Sequence, residues 1–207
     1  MVPRLPYHCG VVSYGRTPEF IMRAEVTRKL FTTDEYYRMA EAGILTPDDR
    51  VELIEGEIIR MSPIGTRHAG CVNRASELFI LKFHARAIVT VQNPARLNQY
   101  NEPQPDILLL KPRDDYYASK HPSGEDTLLL LEVADTSLGF DLKVKIPLYA
   151  TMGIPEVWIA DLRKNVLRVF RNPEAGRYST VLTFSAGETF SVLAFPDVVF
   201  NASDLIG

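Results

Sequence analysis

The spacing of apolar residues changes character several times along the chain. Thr32-Thr-Asp-Glu35 has capping-box spacing, and Tyr36, Tyr37, Met39 and Ala40 follow at helical intervals up to Gly43, which predicts a short helix. Residues 51–61 alternate apolar and polar positions around Glu55-Gly56, the pattern of a β-hairpin. From about residue 66 to 86, Val72, Ala75, Leu78, Phe79 and Phe83 recur at steps of three and four, as on one face of a long amphipathic helix. Three strand-like runs follow, at 87–91, 107–110 and 128–133. The last two are almost wholly apolar, which predicts central strands covered on both faces. A second helix is expected between Asp141 and Met152, stopped by Gly153, although Pro147 implies that its start is distorted or delayed. Residues 155–161 read as another buried strand. Short antiparallel strands are expected at 166–171, 178–184 and 190–193.

The order helix, three strands, helix, strand defines an α/β domain: a sheet flanked by helices, with further β-strands at both ends. At 207 residues one domain is expected, over residues 26–207. Residues 1–25 differ: Pro3, Pro6, Gly10, Gly15 and Pro18 interrupt any periodicity, which predicts a loosely held arm with Met22 as a candidate alternative start. The composition, 46% hydrophobic and 24% charged, is that of an ordinary globular protein. The net charge of −3 argues against nucleic-acid binding by bulk positive charge, while leaving room for a local basic groove. Cys9 and Cys71 have no metal-ligand or disulfide spacing, and no apolar run approaches the ~20 residues of a membrane span. A cytoplasmic protein without membrane contact is expected.

Two carboxylates occupy costly places. Asp106 opens the apolar run 107–110, and Glu132 sits near the end of the run 128–133. If these strands pair antiparallel, both carboxylates reach one edge of the sheet, where oxygen ligands suit a divalent cation. Read singly, Asp106 is a turn residue and Glu132 the partner of a nearby arginine. Downstream, Asp141 is a candidate helix N-cap and Lys145 lies one turn on, able to reach back toward the strand end. Alone, Lys145 reads as a solvated surface lysine.

Pro105-Asp106, Leu131-Glu132-Val133, Asp141 to Lys145, Tyr149 and Gly153-Ile-Pro-Glu-Val-Trp158 resemble the Uma2 family, formerly a domain of unknown function and abundant in cyanobacteria. Glu52 to Glu57 and His68 also match family positions, and the resemblance spans roughly residues 30–205. It implies a restriction-endonuclease-like core of the PD-(D/E)xK nuclease superfamily and Mg²⁺-dependent hydrolysis of DNA, with Mn²⁺ as a possible substitute. Asp106 and Glu132 would then be metal ligands and Lys145 the catalytic lysine. The superfamily pattern puts lysine two residues after the second acid, where this chain has Ala134, so Lys145 on the next helix stands in for it.

Glu52, His68 and Asp141 are supporting candidates: an extra carboxylate, a substrate or water contact, and a cap that orients Lys145. Each also has a plain reading, as an exposed strand charge, a structural helix-start histidine and a simple cap. Trp158 is expected in the core. Arg60, Arg67, Arg74, Lys111, Arg113 and Lys120 are candidate phosphate contacts or an ordinary charged surface. A homodimer is expected of an enzyme that cuts both strands. The competing reading is a catalytically inactive descendant of the fold that binds nucleic acid or a protein partner.

Overall fold

The computed structural model describes residues 27–206. The arm expected over residues 1–25 and the candidate start at Met22 lie outside the described residues. Helix α1 (Thr33–Glu41) carries its capping box: Thr32 Oγ1 accepts the Glu35 N–H at 3.2 Å, and Glu35 Oε2 accepts the Thr32 N–H at 2.9 Å. Strands β1 (Val51–Ile54) and β2 (Glu57–Arg60) form the expected hairpin. Its two turn residues, Glu55 and Gly56, both have positive φ (51° and 75°), the turn geometry whose twist matches the strands. Gly56 also sits against the preceding chain, where a Cβ would come within 2.7 Å of Leu30 Cβ.

Helix α2 (Thr66–Phe83) leads into a six-stranded sheet. Its strands are β3 (Ile88–Val91), β4 (Ile107–Leu110), β5 (Thr127–Ala134), β6 (Glu156–Asp161), β7 (Val166–Glu174) and β8 (Arg177–Ser185), adjacent in that order. All neighbours are antiparallel except β5 and β6, which run parallel. Parallel neighbours need a crossover, and here it is helical: α3 (Leu138–Phe140), a π-helical turn at Asp141–Lys145, and α4 (Ile146–Thr151). The helix expected from Asp141 thus begins earlier and is distorted rather than delayed. The Ile146 N–H reaches back five residues to Asp141 O, which widens the backbone just before Pro147. In a regular α-helix Pro147 would crowd the carbonyl four residues back.

Alternation along the apolar strands divides the core between the two faces of the sheet. Ile107, Leu109, Leu129 and Leu131 pack on the α2 side with Phe79, Phe83 and Trp158. Leu108, Leu110 and Leu130 pack on the α4 side with Tyr149, Val157 and Ile159. The C-terminal strands separate into two groups: β7 and β8 extend the central sheet, while β9 (Thr189–Val192) pairs with β10 (Phe195–Asn201) in a separate hairpin. Strand β10 and helix α5 (Ala202–Ile206) are absent from the sequence expectation. Pro196 and a break in register between Phe195 and Val199 blur the alternation that would have revealed β10. Phe190 and Phe200 from this hairpin pack against Trp158, with ring centroids at 4.9 and 5.3 Å.

Candidate active site

Strand pairing makes the first contact of the site. β4 and β5 are antiparallel with Ile107 opposite Leu131, so Asp106, one residue before β4, falls beside Glu132 and Val133. Asp106 Oδ2 accepts the Val133 N–H at 2.8 Å and a hydrogen bond from His68 Nε2 at 3.1 Å, while Oδ1 accepts Gln92 Nε2 at 3.1 Å. An ionised carboxylate only accepts, so this contact puts the proton of His68 on Nε2. His68 Nδ1 is then buried without a partner among the described residues. The hydrogen bond to Asp106 raises the pKa of His68 above its ordinary value, against the opposing effect of burial.

The crossover supplies the cation. Lys145 closes the π-helical turn and is 5% exposed, so the solvated-lysine reading does not hold. Its Nζ lies 3.0 Å from Glu52 Oε2 and 3.2 Å from Glu132 Oε1. Tyr149, one turn further, donates its hydroxyl to Glu132 Oε1 at 2.6 Å. Glu52, on β1, also accepts the Gln104 N–H at 3.2 Å. Asp141 is buried and accepts a hydrogen bond from Ser137 Oγ at 2.7 Å, an internal turn position rather than an N-cap. All six residues singled out from the sequence line one cleft of about 470 Å³.

Charge in this cleft is unbalanced. Glu52, Asp106, Glu132 and Asp141 are each under 8% exposed, and among the described residues Lys145 is the only lysine or arginine buried with them. Burial pushes the Glu132 carboxyl up to about 8; Lys145 opposes this, and repulsion from Asp141, Asp106 and Glu52 adds to it. Burial likewise raises Asp141, countered by Ser137 and Lys145. For Lys145 burial acts to release the proton, but Glu132, Glu52 and Asp141 outweigh it, so the ammonium is held. Burial and the neighbouring Glu132 keep the Tyr149 hydroxyl protonated well beyond its ordinary range.

Among the described residues no three His, Cys, Asp or Glu side chains are grouped closely enough to enclose a metal ion by themselves. Mg²⁺ does not require such a cage, since it is commonly held by one or two carboxylates and completes its shell with water and substrate phosphate. The donors here are hard carboxylate oxygens, and burial together with repulsion from neighbouring acids raises the Glu132 carboxyl, an effect a cation would oppose. The residues therefore fit a divalent cation.

Of the expected phosphate contacts, only Arg60 lines this cleft, joined by Arg50 from the entry to β1. Arg67 donates to Leu162 O at 2.6 Å, and Arg74 faces solvent away from the cleft lining. Lys111 and Arg113 follow the opposite end of β4 from Asp106, with Arg113 held by Asp115 and Ser119, and Lys120 is exposed beyond them. These six residues do not line one cleft together, because residues that flank a strand in sequence are separated by its whole length. Sequence reasoning missed Gln92, Arg50 and Gln104, and gave Tyr149 no role. For Tyr149 the signal was present, four residues after Lys145 and so on the same helical face.

A mixed sheet flanked by helices, with its acidic cleft where the antiparallel strands give way to the parallel crossover, defines the fold as an α/β domain. The chain belongs to the Uma2 family, whose model, described as "Putative restriction endonuclease", matches residues 33–203. Among solved structures it is similar to "a putative nuclease belonging to DUF820" from Anabaena variabilis, with 17% sequence identity and a TM-score of 0.66. That likeness covers 85% of this chain and 97% of the other, and establishes the shared fold. No curated protein matches the sequence.

Proposed function

We propose that this nuclease-family chain is a Mg²⁺-dependent endonuclease that hydrolyses phosphodiester bonds in DNA, with Mn²⁺ able to substitute. The observation that carries this reading is the gathering of four buried carboxylates in one cleft edged by Arg50 and Arg60, where the Lys145 ammonium meets only two of them, Glu52 and Glu132. Asp106 and Glu132 would hold the cation. When bound, it supplies the charge that favours ionisation of an attacking water and offsets charge developing on the phosphate.

The chain's own groups account for the rest. Tyr149 and Lys145 both engage Glu132 Oε1, fixing that carboxylate for its task. Lys145 stays protonated against Glu52 and stabilises negative charge on the reacting phosphate from a fixed position, where a preoriented charge is most effective. Arg50 and Arg60 bind neighbouring phosphates and set the strand in register. His68 orients Asp106, and Asp141 adds to the field that keeps Lys145 charged. Cutting both strands with one cleft per chain calls for two chains, so the working unit proposed is a homodimer, which sedimentation at micromolar concentration tests.

Plasmid DNA incubated with Mg²⁺ or Mn²⁺ should be nicked by the wild type. Asp106→Asn and Glu132→Gln should lower the rate at least about 100-fold while leaving the fold intact. Equal rates in wild type and variants would refute the assignment. Absence of cleavage with either ion would favour the inactive binding module.

A further inference from the structure

The carboxylate of Asp106 is held from three directions, and one of the holders has no sequence signal at all. Two donors, the Val133 N–H on β5 and His68 Nε2 on α2, converge on Oδ2. The third, the side-chain amide of Gln92, takes Oδ1 alone at 3.1 Å. A carboxylate offers about four lone pairs, two on each oxygen. With Oδ2 filled twice, the position open to a ligand lies on Oδ1, the atom that Gln92 holds.

The backbone of Gln92 is bent to make this contact. It follows the last residue of β3 with φ of +51°, in the left-handed region that non-glycine residues rarely enter. Its N–H donates to Asp106 O at 3.0 Å, so main chain and side chain of one residue grip the main chain and side chain of another. Strained non-glycine backbone of this kind persists where its surroundings impose it, and such positions cluster at functional sites. Gln92 is partly buried and lies outside the cleft lining, so it acts only through Asp106.

We infer that Gln92 is a positioning residue whose amide orients the open oxygen of Asp106 toward the cleft, setting both cation affinity and turnover. This rests on the nuclease reading above. Outer partners of a ligand carboxylate typically govern affinity or activity by about 10- to 100-fold when removed.

The test uses two variants of the full chain. Gln92→Gly removes the amide but adopts the left-handed backbone freely, so the fold should survive with unchanged thermal stability. Gln92→Glu keeps the length but sets an acceptor, and in its ionised form a like charge, against Oδ1. Calorimetric titration of Mn²⁺ should show affinity lower by about 10- to 100-fold in both, with plasmid cleavage falling alongside and KM for DNA unchanged. A purely structural Gln92 would change melting temperature without moving Mn²⁺ affinity. If wild type binds Mn²⁺ and cleaves while Gln92→Gly does both equally well, the role of Gln92 is overturned and the nuclease reading stands. A wild type that neither binds Mn²⁺ nor cleaves DNA overturns both.

Discussion

Two buried glutamates stand at different ends of the sheet, and they are built differently. Glu156, at the start of β6, is 0% exposed. Its Oε1 accepts Trp158 Nε1 at 2.9 Å and Arg171 Nε at 2.8 Å, and its Oε2 accepts the Leu193 N–H at 2.6 Å. One acid meets one guanidinium, both oxygens are occupied, and the ion pair fastens the β9–β10 hairpin to the sheet. Glu132, near the end of β5, is 6% exposed at the cleft, shares one ammonium with Glu52 and faces two further carboxylates. Balanced charge with both oxygens engaged is a device for holding structure. Surplus charge of one sign beside an open cleft is a device for holding something else.

The contrast can be broken by substitution. Glu156→Ala should give the largest change in stability, about 3 kcal/mol in urea unfolding, because it leaves the partly buried Arg171 guanidinium without its acid and frees the Leu193 N–H. Glu132→Gln should do the reverse, abolishing cleavage while matching or exceeding wild-type stability at pH 8, since it removes a carboxylate that burial opposes. If both variants lose stability equally, the two glutamates do the same job and the distinction fails.

The folded-state pKa of Glu132 is raised, from 4.5 to about 8, so its contribution to stability is fully present below about pH 4.5 and is lost as pH rises through 8. Across that window the metal-free protein should lose up to about 1.4 kcal/mol per pH unit from this group. Glu132→Gln should remove that component, which thermal melts at matched ionic strength can read. The smallest effect is expected at the rim: Arg50→Ala or Arg60→Ala should weaken DNA binding several-fold and lower the salt dependence of log K by about one unit each. No change in the salt slope would mean that these arginines do not meet phosphate.

Much of this site was legible because it follows local rules. The all-apolar runs around Leu108 and Leu130 announce covered strands, and their antiparallel pairing brings Asp106 to Glu132. Helical spacing puts Lys145 and Tyr149 on one face, and the ill fit of Pro147 announces a distortion, which the structure resolves as a π-helical turn. Illegible features depended on tertiary contacts. Gln92 reads as any polar residue ending a strand, and only the fold shows that it turns back onto Asp106. Arg50 gains meaning from the hairpin's placement over the cleft, while Lys111 and Arg113 lose theirs because β4 carries them to its far end. Strand β10 was hidden by Pro196 and its bulge.

Whether the surplus of buried carboxylates serves to bind a divalent cation can be read from calorimetric titration of Mn²⁺ near pH 7.5 in buffers of differing ionisation enthalpy. Binding should release about one proton as Glu132 gives up its own, and both the heat and the release should be lost in Glu132→Gln. Absence of binding in the wild type, or binding that survives unchanged in Glu132→Gln, would contradict the account.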